Sequence, residues 1–383
     1  MTYSFDVIVL GLGAMGSATA YQLAARGQRV LGLEQYLPAH DKGSSHGQSR
    51  IIRLAYLEHP GYVPLLLRAY ELWEQLEREA SETLLTITGG LMIGQAGSRV
   101  FGGSLRSATE HSLQYEILDA AEIRRRFPQF TPGPNVQALY ERRGGVLYPE
   151  AIINAHLRLA AAHGATLHYQ EPVLRWEAAP SGDRVRVTTA QGVYEAARLV
   201  ISAGVWAPEL LGDLELPLQA QRNILYWFEP VGDLTPFLPD RCPIYIWEGE
   251  EGMSFYGFPA LPGPPDGVKV AFHNFGPYCT PETIDRQVHE SEVARIRAWM
   301  AERVPALAQG RFVEARTCMY TLTPDQHFLI GLHPRHPQVV IGSPCSGHGF
   351  KFASVMGEIL ADLATDGATR HPIGMFTPER FGH

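Results

Sequence analysis

Residues 6–16 read Asp6-Val7-Ile8-Val9-Leu10-Gly11-Leu12-Gly13-Ala14-Met15-Gly16. The apolar run predicts a β-strand, and the Gly-x-Gly-x-x-Gly turn after it predicts the start of a helix. Gly11 permits a tight turn, Gly13 lets the backbone approach a phosphate, and Gly16 lets the helix lie close to the strand. Backbone N–H groups and the positive end of the helix dipole then meet at one anion site. The stretch therefore predicts a βαβ unit that binds a dinucleotide.

A second apolar run ends at Glu34, which lies 18 residues after Gly16 (34 minus 16). This is close to the ~20 residues at which an acidic side chain accepts a hydrogen bond from a ribose hydroxyl. The pattern does not distinguish NAD from FAD. A glycine turn in some other α/β fold is the alternative interpretation.

Length and charge limit the class of protein. With 383 residues, of which 45% are hydrophobic, two domains are expected. The chain has 40 acidic and 32 basic residues, a net charge of −8 and no basic block, which argues against a nucleic-acid or anionic-membrane partner. No apolar run approaches the ~18 residues of a membrane span. The first residues lack the basic start of a signal peptide, so we expect a cytoplasmic protein.

Cysteine and histidine patterns indicate neither a disulfide framework nor a metal site. The four cysteines have no Cys-x-x-Cys spacing, and the 15 histidines form no His-Glu-x-x-His pair. We therefore predict no metal. The cysteines are Cys242, Cys279, Cys318 and Cys345.

Lysine is rare among the basic residues. Only Lys42, Lys269 and Lys351 are lysine, and the other basic residues are arginine. Because a compact ammonium can shift its pKa and fit a tight site where a planar guanidinium cannot, these three positions are candidates for specific roles. Chance survival is the alternative for any one of them.

Hydrophobic periodicity predicts an α/β chain. Residues 84–144 are predicted to form strands and loops. Arg50 and Arg53 are three residues apart, so on a helical turn they would face the same way; a solvated surface pair is the alternative. Helices are predicted at Tyr62–Ala80, Tyr148–His163, Glu282–Ala301 and Phe352–Ala364, and strands or hairpins at Thr166–Trp176, Arg184–Tyr194, Arg198–Gly204, Ile244–Trp247, Val268–His273 and Val339–Gly342.

Five further stretches carry a family resemblance along nearly the whole chain. With the N-terminal glycine turn, the chain is similar to the FAD-dependent amine oxidases of the monomeric sarcosine oxidase and N-methyltryptophan oxidase type. The resemblance implies a two-domain α/β flavoenzyme. A Rossmann-like FAD-binding domain (residues 1–83, 145–215 and 318–383) would be interleaved with a substrate domain rich in β-sheet (residues 84–144 and 216–317). The stretches are Gly43–Gly47, Arg50–Arg53, Ser202–Trp206, Thr317–Thr321 and Ser346–Lys351.

The same resemblance implies FAD as the cofactor, attached through a thioether between Cys318 and the flavin. A thiolate is the nucleophile that such a link requires, and a neighbouring positive charge lowers its pKa. Cys345 has no counterpart in the resemblance and is interpreted as structural. The residues implied to surround FAD are Gly11, Gly13, Ala14, Met15, Gly16, Glu34, Gln35, Ser44, Ser45, Arg50, Val173, Ser202, Ala203, Gly204, Trp206, Cys318, Met319, Gly347, His348, Gly349 and Lys351.

The resemblance also implies the substrate site. Arg53 and Lys351 would bind a substrate carboxylate with help from the Tyr320 hydroxyl, since cations and a phenol give charge-assisted bonds. Tyr256 and His273 would flank the substrate, with an ordinary core histidine as the alternative for His273. For the oxygen reaction, Lys269 and nearby Arg50 would stabilise negative charge as it develops on O₂. The catalytic set is thus Lys269, Arg50, His273 and Tyr320.

The expected reaction is oxidation of a secondary amino acid such as sarcosine, with O₂ as the acceptor and hydrogen peroxide as a product. The expected partners are a small amino acid and O₂, and the family expectation is a monomer. N-methyltryptophan, proline and pipecolate carry the same amine and carboxylate and are alternative substrates. An FAD dehydrogenase with another acceptor, an NAD-dependent dehydrogenase and a non-catalytic flavin-binding protein are alternative classes.

Overall fold

Two large β-sheets and one small sheet form the framework of the chain. In this computed structural model, residues 2–249, 252–343 and 345–382 are described. The strands are β1 (Thr2–Leu10), β2 (Val30–Leu33), β3 (Arg50–Ile52), β4 (Leu85–Ile87), β5 (Gly90–Gln95), β6 (Glu116–Asp119), β7 (Val136–Glu141), β8 (Gly145–Leu147), β9 (Thr166–His168), β10 (Val173–Ala178), β11 (Val185–Thr189), β12 (Val193–Ile201), β13 (Gln219–Glu229), β14 (Ile244–Glu248), β15 (Ser254–Ala260), β16 (Val268–His273), β17 (Tyr278–Cys279), β18 (Arg311–Leu322), β19 (Leu329–His333) and β20 (His336–Ser343).

Helices pack against both large sheets: α1, α5 and α9 against the first, and α3 and α4 against the second. The helices are α1 (Ala14–Ala25), α2 (Val63–Ala80), α3 (Arg99–Glu110), α4 (Ala120–Arg126), α5 (Pro149–Ala162), α6 (Ala207–Leu210), α7 (Glu290–Ala301), α8 (Pro305–Ala308) and α9 (Ala353–Asp366). The predictions for α2, α5 and α9 are confirmed to within two residues. In α2 the predicted apolar face, which includes Leu65, Leu72 and Trp73, is buried.

The first sheet has the order β10-β11-β12-β1-β2-β9, with β20 beside β12 and β19 beside β20. The strands β9, β2, β1, β12 and β20 are parallel to their neighbours in that series. Leu10 pairs with Ile201, so the glycine turn after β1 and the Ser202–Gly204 turn after β12 lie at the same sheet edge. This is the edge at which open parallel sheets bind ligands.

The second sheet is mixed and has the order β17-β13-β16-β15-β14-β5-β7-β6, with β18 on the other side of β13. The predicted strands at Ile244–Trp247 and Val268–His273 are confirmed as β14 and β16. Ser254 pairs with His273 on the neighbouring strand, so their side chains share one face. The expected domain boundary between residues 317 and 318 would fall inside β18.

The small sheet, β3-β8-β4, corrects the expectation for the arginine pair. Arg50 begins strand β3 and Arg53 follows its end, so the two are not on one helical turn. Arg50 donates to the carbonyls of Ser44 and Ser49, whereas Arg53 binds Glu58. Strand pairing with β8 prevents the helical turn here.

The predicted helix at Glu282–Ala301 is wrong over its first eight residues. Helix α7 begins at Glu290 after a capping box formed by His289 and Glu292. The buried guanidinium of Arg222 binds the carbonyl oxygens of Asp285 and Gln287. Those carbonyls are thereby used in a tertiary contact, and the segment before His289 is not helical.

Two other segments also differ from the prediction. Residues 84–144 contain the helices α3 and α4 as well as strands. Gly102 and Gly103 lie within α3. A Cβ at Gly103 would lie 2.4 Å from the Leu57 carbonyl oxygen, so close packing requires glycine at this position of the helix. Thr166–Trp176 divides into β9 and β10, with Gln170 at φ +57° between them. Among the described helices, none combines the length and apolar character of a membrane span.

Candidate active site

A single large cavity runs from the glycine turn of the first sheet to the face of the second sheet. Twenty of the 21 residues predicted around FAD line it; Gly16 does not, because it lies under the turn. The predicted substrate residues Arg53, Tyr256, His273 and Tyr320 also line it, and Lys269 does not. Residues that line it without a sequence prediction include His40, Glu58, Arg99 and Ser254.

The glycine turn has the geometry that its sequence predicts. Gly11 has a φ of +81°, and a Cβ there would lie 2.9 Å from the Ser202 carbonyl oxygen. A Cβ on Gly16 would lie 1.7 Å from the Gly11 oxygen, so glycine is required where α1 crosses the turn. A Cβ on Gly13 would meet no atom within 4 Å. The space beside Gly13 is therefore open on the cavity side of the helix N-terminus.

Glu34 is buried at the end of β2 and stabilises the same turn. Its carboxylate accepts hydrogen bonds from the N–H of Leu12 (2.9 Å) and of Tyr36 (2.9 Å). His40 Nε2 lies 3.5 Å from the carboxylate. A carboxylate has about four acceptor sites, so Glu34 retains capacity for a ribose hydroxyl.

Cys318 lies on β18 with its sulfur facing the loop that follows β2. Sγ is 3.9 Å from an Arg50 guanidinium nitrogen and 3.7 Å from the Ser44 carbonyl oxygen. Burial raises the pKa of the Cys318 thiol, while the charges of Arg50 and Lys269 act to lower it. The thiol thus lines the cavity beside a fixed positive charge.

Lys269 is buried in the second sheet behind the segment that contains Arg50. Its ammonium donates to the carbonyls of Gly47 (2.7 Å) and Ser49 (2.7 Å) and to Ser49 Oγ (3.0 Å). The nitrogen lies 4.6 Å from the centre of the Phe258 ring. Burial, with Arg50 second, lowers the pKa of Lys269 well below its usual value. Lys42, the lysine to which no role is assigned, is exposed and pairs with Asp41.

Arg53 is 1% exposed and already has a carboxylate partner. Its guanidinium donates to both oxygens of Glu58 (2.9 and 3.2 Å) and to the Ala55 carbonyl (3.1 Å). Burial by itself would raise the pKa of Glu58, but Arg53, His348 and Lys351 bring it below its usual value. A substrate carboxylate that binds Arg53 must therefore share or displace Glu58, a residue that sequence reasoning missed.

Lys351 is the second cation at this end of the cavity. Its ammonium donates to the His348 carbonyl (2.7 Å), and its own carbonyl accepts from Trp73 Nε1 (2.9 Å). Burial, followed by repulsion from Arg53, lowers the pKa of Lys351 to about 7. Lys351 is therefore charged below neutral pH and about half protonated at neutral pH, and a bound anion would favour its charged form.

Two phenols and one imidazole flank these cations. The hydroxyls of Tyr256 and Tyr320 are 3.5 Å apart. Burial lowers the pKa of His273 to about 3, so this imidazole is neutral. A Cβ on Gly347 would lie 2.5 Å from the Tyr320 ring, which shows why glycine stands there. The structure thus brings Tyr256, Tyr320 and His273 to one wall.

The residues fit an FAD molecule. Gly13 leaves open space at the N-terminus of α1, the kind of place where a pyrophosphate would bind. Glu34 lines the same cavity just after β2, where a ribose would be expected. Cys318 and Arg50 lie near the second sheet, where the isoalloxazine would reach. The buried Oγ of Ser343, which also lines the cavity, has no hydrogen-bond partner within the described part of the chain.

One group of possible metal ligands lies away from the cavity. Among the described residues, Asp213, His333 and His336 place ligand atoms within 4.8 Å of one another. His333 Nδ1 accepts a hydrogen bond from the Arg335 N–H, so its proton is on Nε2, which lies 3.1 Å from Asp213. Arg335 also binds Asp213. This neutral tautomer suits a hydrogen bond from Nε2 to Asp213 better than metal binding, which needs a free Nε2 lone pair.

Comparison with known proteins gives one family match and three similar proteins. Residues 6–363 match the family described as FAD dependent oxidoreductase. The chain is 53% identical to the monomeric sarcosine oxidase of Streptomyces avermitilis, over 99% of this chain and 98% of that protein. It is 34% identical to the N-methyl-L-tryptophan oxidase of Salmonella arizonae, over 98% and 99%. The solved structure of NikD, an unusual amino acid oxidase essential for nikkomycin biosynthesis, has a TM-score of 0.84 at 27% identity, over 98% of each chain.

Gly13→Ala and Gly16→Ala are a matched pair that separates binding from folding. We expect Gly16→Ala to lower the unfolding temperature, because its Cβ clashes with the Gly11 carbonyl and overpacking costs about 1–3 kcal/mol. In a Cys318→Ala background, from which flavin can be removed, Gly13→Ala should unfold like the protein without it when both are freed of flavin, yet contain much less flavin as purified. Thermal unfolding and the ratio of flavin to protein absorbance measure both effects. Equal losses of stability in the two variants would contradict this interpretation of the turn.

Proposed function

The chain belongs to the FAD-dependent oxidoreductase family, and we propose that it oxidises secondary amino acids, with sarcosine as the preferred substrate. The supporting observation is the pair of buried cations, Arg53 and Lys351, in the cavity that the glycine turn opens. A flavin-binding protein without a substrate has no need for two cations at that place. The Streptomyces relative carries the name monomeric sarcosine oxidase, which supports both the substrate and a monomeric state.

In this proposal Arg53 and Lys351 bind the substrate carboxylate, and the Tyr320 hydroxyl donates a further hydrogen bond. Fixing the carboxylate orients the amine along the wall formed by Tyr256 and His273, and orientation of this kind accelerates a reaction. Neutral His273 adds no charge beside the amine. Glu58 occupies Arg53 until the substrate arrives, so the guanidinium is never buried without an anion.

Bound FAD would accept a hydride equivalent from the carbon next to the amine nitrogen and pass the two electrons to O₂. For sarcosine the balanced reaction is sarcosine, O₂ and water to glycine, formaldehyde and hydrogen peroxide. The residues that would hold the cofactor are those that line the cavity between Gly11 and Cys318. We propose that Cys318 attaches it covalently, because its thiol lies beside Arg50. The sulfur would bond to the 8α carbon of the flavin with loss of the thiol hydrogen and one 8α hydrogen, and the two electrons would pass through the flavin to O₂ with formation of hydrogen peroxide.

Lys269 and Arg50 would supply the positive charge for the oxygen reaction. Burial lowers the pKa of Lys269, but its nitrogen donates to three neutral oxygen acceptors, which favour the protonated form. Within the described residues it has no hydrogen bond to a carboxylate, so its positive charge is not neutralised by a direct partner. A fixed ammonium of this kind stabilises negative charge that develops as O₂ is reduced. Lys269 does not line the cavity and is separated from it by the segment that contains Arg50, so its proposed effect is electrostatic.

Other secondary amino acids are the second candidates. N-methyl-L-tryptophan is favoured among them because of the Salmonella relative, and proline and pipecolate share its amine and carboxylate. Discrimination among these substrates depends on the space beside the wall formed by Tyr256, Tyr320 and His273. A single methylene changes the transition-state binding free energy by only ~1–3 kcal/mol. An FAD dehydrogenase with a different electron acceptor is the remaining alternative.

A panel of these amino acids under air tests the proposed reaction. We expect sarcosine to give the highest kcat/KM, with one hydrogen peroxide formed for each formaldehyde. The methyl ester of sarcosine is the matched control, because it keeps the amine but removes the charge that Arg53 and Lys351 bind. Substrate oxidation without peroxide would indicate another acceptor, and no oxidation of any panel member would refute the function.

Acid precipitation tests the bond at Cys318. We expect the yellow colour to remain with the precipitated parent protein, and to appear in the supernatant for Cys318→Ala. Cys345→Ala is the matched control, since Cys345 also lines the cavity but should retain the coloured precipitate. Colour that leaves the parent protein on precipitation would show that the flavin is not covalently bound.

Lys269→Met tests the oxygen reaction separately from substrate oxidation. Anaerobic reduction by sarcosine should proceed near the parent rate, while reoxidation by O₂ should slow by roughly 10²- to 10³-fold, as for other electrostatic groups. Lys42→Met is the control, because Lys42 is an exposed lysine outside the cavity. Stopped-flow absorbance follows each half-reaction. Slow reduction with normal reoxidation would be incompatible with this role.

A further inference from the structure

One aromatic ring lies against both cations of the carboxylate site. The Arg53 guanidinium carbon is 4.3 Å from the centre of the Tyr56 ring, and the Lys351 nitrogen is 5.4 Å from the same centre. Both distances are within the ~6 Å at which a cation is attracted to the face of a ring. The side chain of Tyr56 is completely buried.

The hydroxyl of Tyr56 points away to a different partner. It lies 2.6 Å from His348 Nδ1, and His348 Nε2 lies 3.0 Å from the Gln326 carbonyl oxygen. Because a carbonyl only accepts, Nε2 carries the proton and Nδ1 accepts from the Tyr56 hydroxyl. Burial lowers the pKa of His348 to about 4, so the imidazole is neutral. The ring face contacts Arg53 and Lys351, whereas the hydroxyl contacts His348, at the ring nitrogen and, at 3.4 Å, at the carbonyl oxygen. Because that carbonyl also accepts from Lys351, removal of the hydroxyl alone is tested separately from removal of the ring.

Neighbouring rings fix the plane of Tyr56. The Phe352 ring packs edge-on against it at 5.3 Å, and the Tyr62 ring lies 4.9 Å away. Neither of these two rings contacts both cations. Tyr62 makes no cation–π contact with Arg53 or Lys351, and Phe352 makes one with Lys351 only, at 5.8 Å. Within the described residues, Tyr56 is thus the aromatic side chain that contacts both.

The two cations need such a contact because they repel each other. Burial removes them from water, and Arg53 disfavours the charged form of Lys351. Glu58 forms its ion pair with Arg53 and none with Lys351. The hydrogen-bond acceptor of Lys351 is the neutral His348 carbonyl. The negative face of a ring offsets part of that repulsion without adding an anion that would compete with a ligand.

We propose that the ring face of Tyr56 is a positioning element that holds Arg53 and Lys351 ready for one ligand carboxylate, whereas its hydroxyl only orients His348. This inference rests on the proposed role of the two cations in carboxylate binding. It gives Tyr56 no part in the reaction itself. Loss of the ring should therefore weaken carboxylate binding and raise KM while kcat for bound substrate changes less.

The experiment compares Tyr56→Phe with Tyr56→Leu in the FAD-loaded protein. The probe is propionate, a carboxylate without an amine, whose dissociation constant is measured from the change in flavin absorbance. We expect Tyr56→Leu to raise that constant roughly 3- to 30-fold, the range for desolvated cation–π contacts. Tyr56→Phe keeps the ring and should bind like the parent. With sarcosine, KM should follow the same order.

Tyr62→Leu is the matched control for loss of a buried aromatic ring in the same cluster. It should destabilise the protein to thermal unfolding as Tyr56→Leu does, but leave propionate binding close to that of the parent. Propionate binding also separates this inference from the proposed function. If propionate follows the Tyr56 order but sarcosine is not oxidised, the proposed function fails and the inference stands. If Tyr56→Leu oxidises sarcosine with the kcat and KM of the parent, the inference about Tyr56 fails and the proposed function stands.

Fluorinated phenylalanines at position 56 keep the test decisive if Tyr56→Leu does not fold. Each fluorine withdraws negative charge from the ring face with little change of shape. We expect propionate affinity to fall progressively with fluorine number. Equal affinity across the series, or a Tyr56→Phe variant that binds as weakly as Tyr56→Leu, would overturn the proposal in favour of a role for the hydroxyl or for packing.

Discussion

The burial of positive charge around one cavity is the constraint on which the site depends. Arg53, Lys269 and Lys351 are each at most 5% exposed, and a buried charge is costly unless the protein solvates it. The chain meets this need mainly with oriented carbonyl groups, and with a single carboxylate, Glu58, bound to Arg53. Positive potential therefore remains available for an anionic ligand.

The segment from Ser44 to Glu58 supplies most of that solvation. Its carbonyls bind Arg50, Arg53 and Lys269. Two carboxylates from elsewhere fix its backbone: Glu150 accepts from Gly47 and Gln48, and Glu141 accepts from Leu54 and Ala55. The same segment borders both the part of the cavity near the glycine turn and the part near Arg53, so the two parts share one hydrogen-bonded stretch of backbone.

The sequence predicts local features well and tertiary partners poorly. The glycine turn could be predicted because the reason for each glycine lies in the turn itself, and Gly16 illustrates this. Glu58 and Tyr56 were missed because their roles depend on where an irregular segment folds against the turn between β20 and α9, for which no periodic pattern exists. The start of α7 was misplaced for a similar reason, since distant Arg222 binds the carbonyls before it. The helical spacing considered for Arg50 and Arg53 does not apply, because Arg50 begins a strand, β3.

The cavity joins the edge of one large sheet to the face of the other, and β18 carries Cys318 at the second of these places. A ligand anchored at both ends then acts as a mechanical brace: it transmits tension between the two sheets and resists their separation. The stiffness of the whole molecule, and not only its chemistry, would accordingly depend on occupancy of the cavity. The flavin-free chain would be more flexible, above all where the two large sheets contact each other.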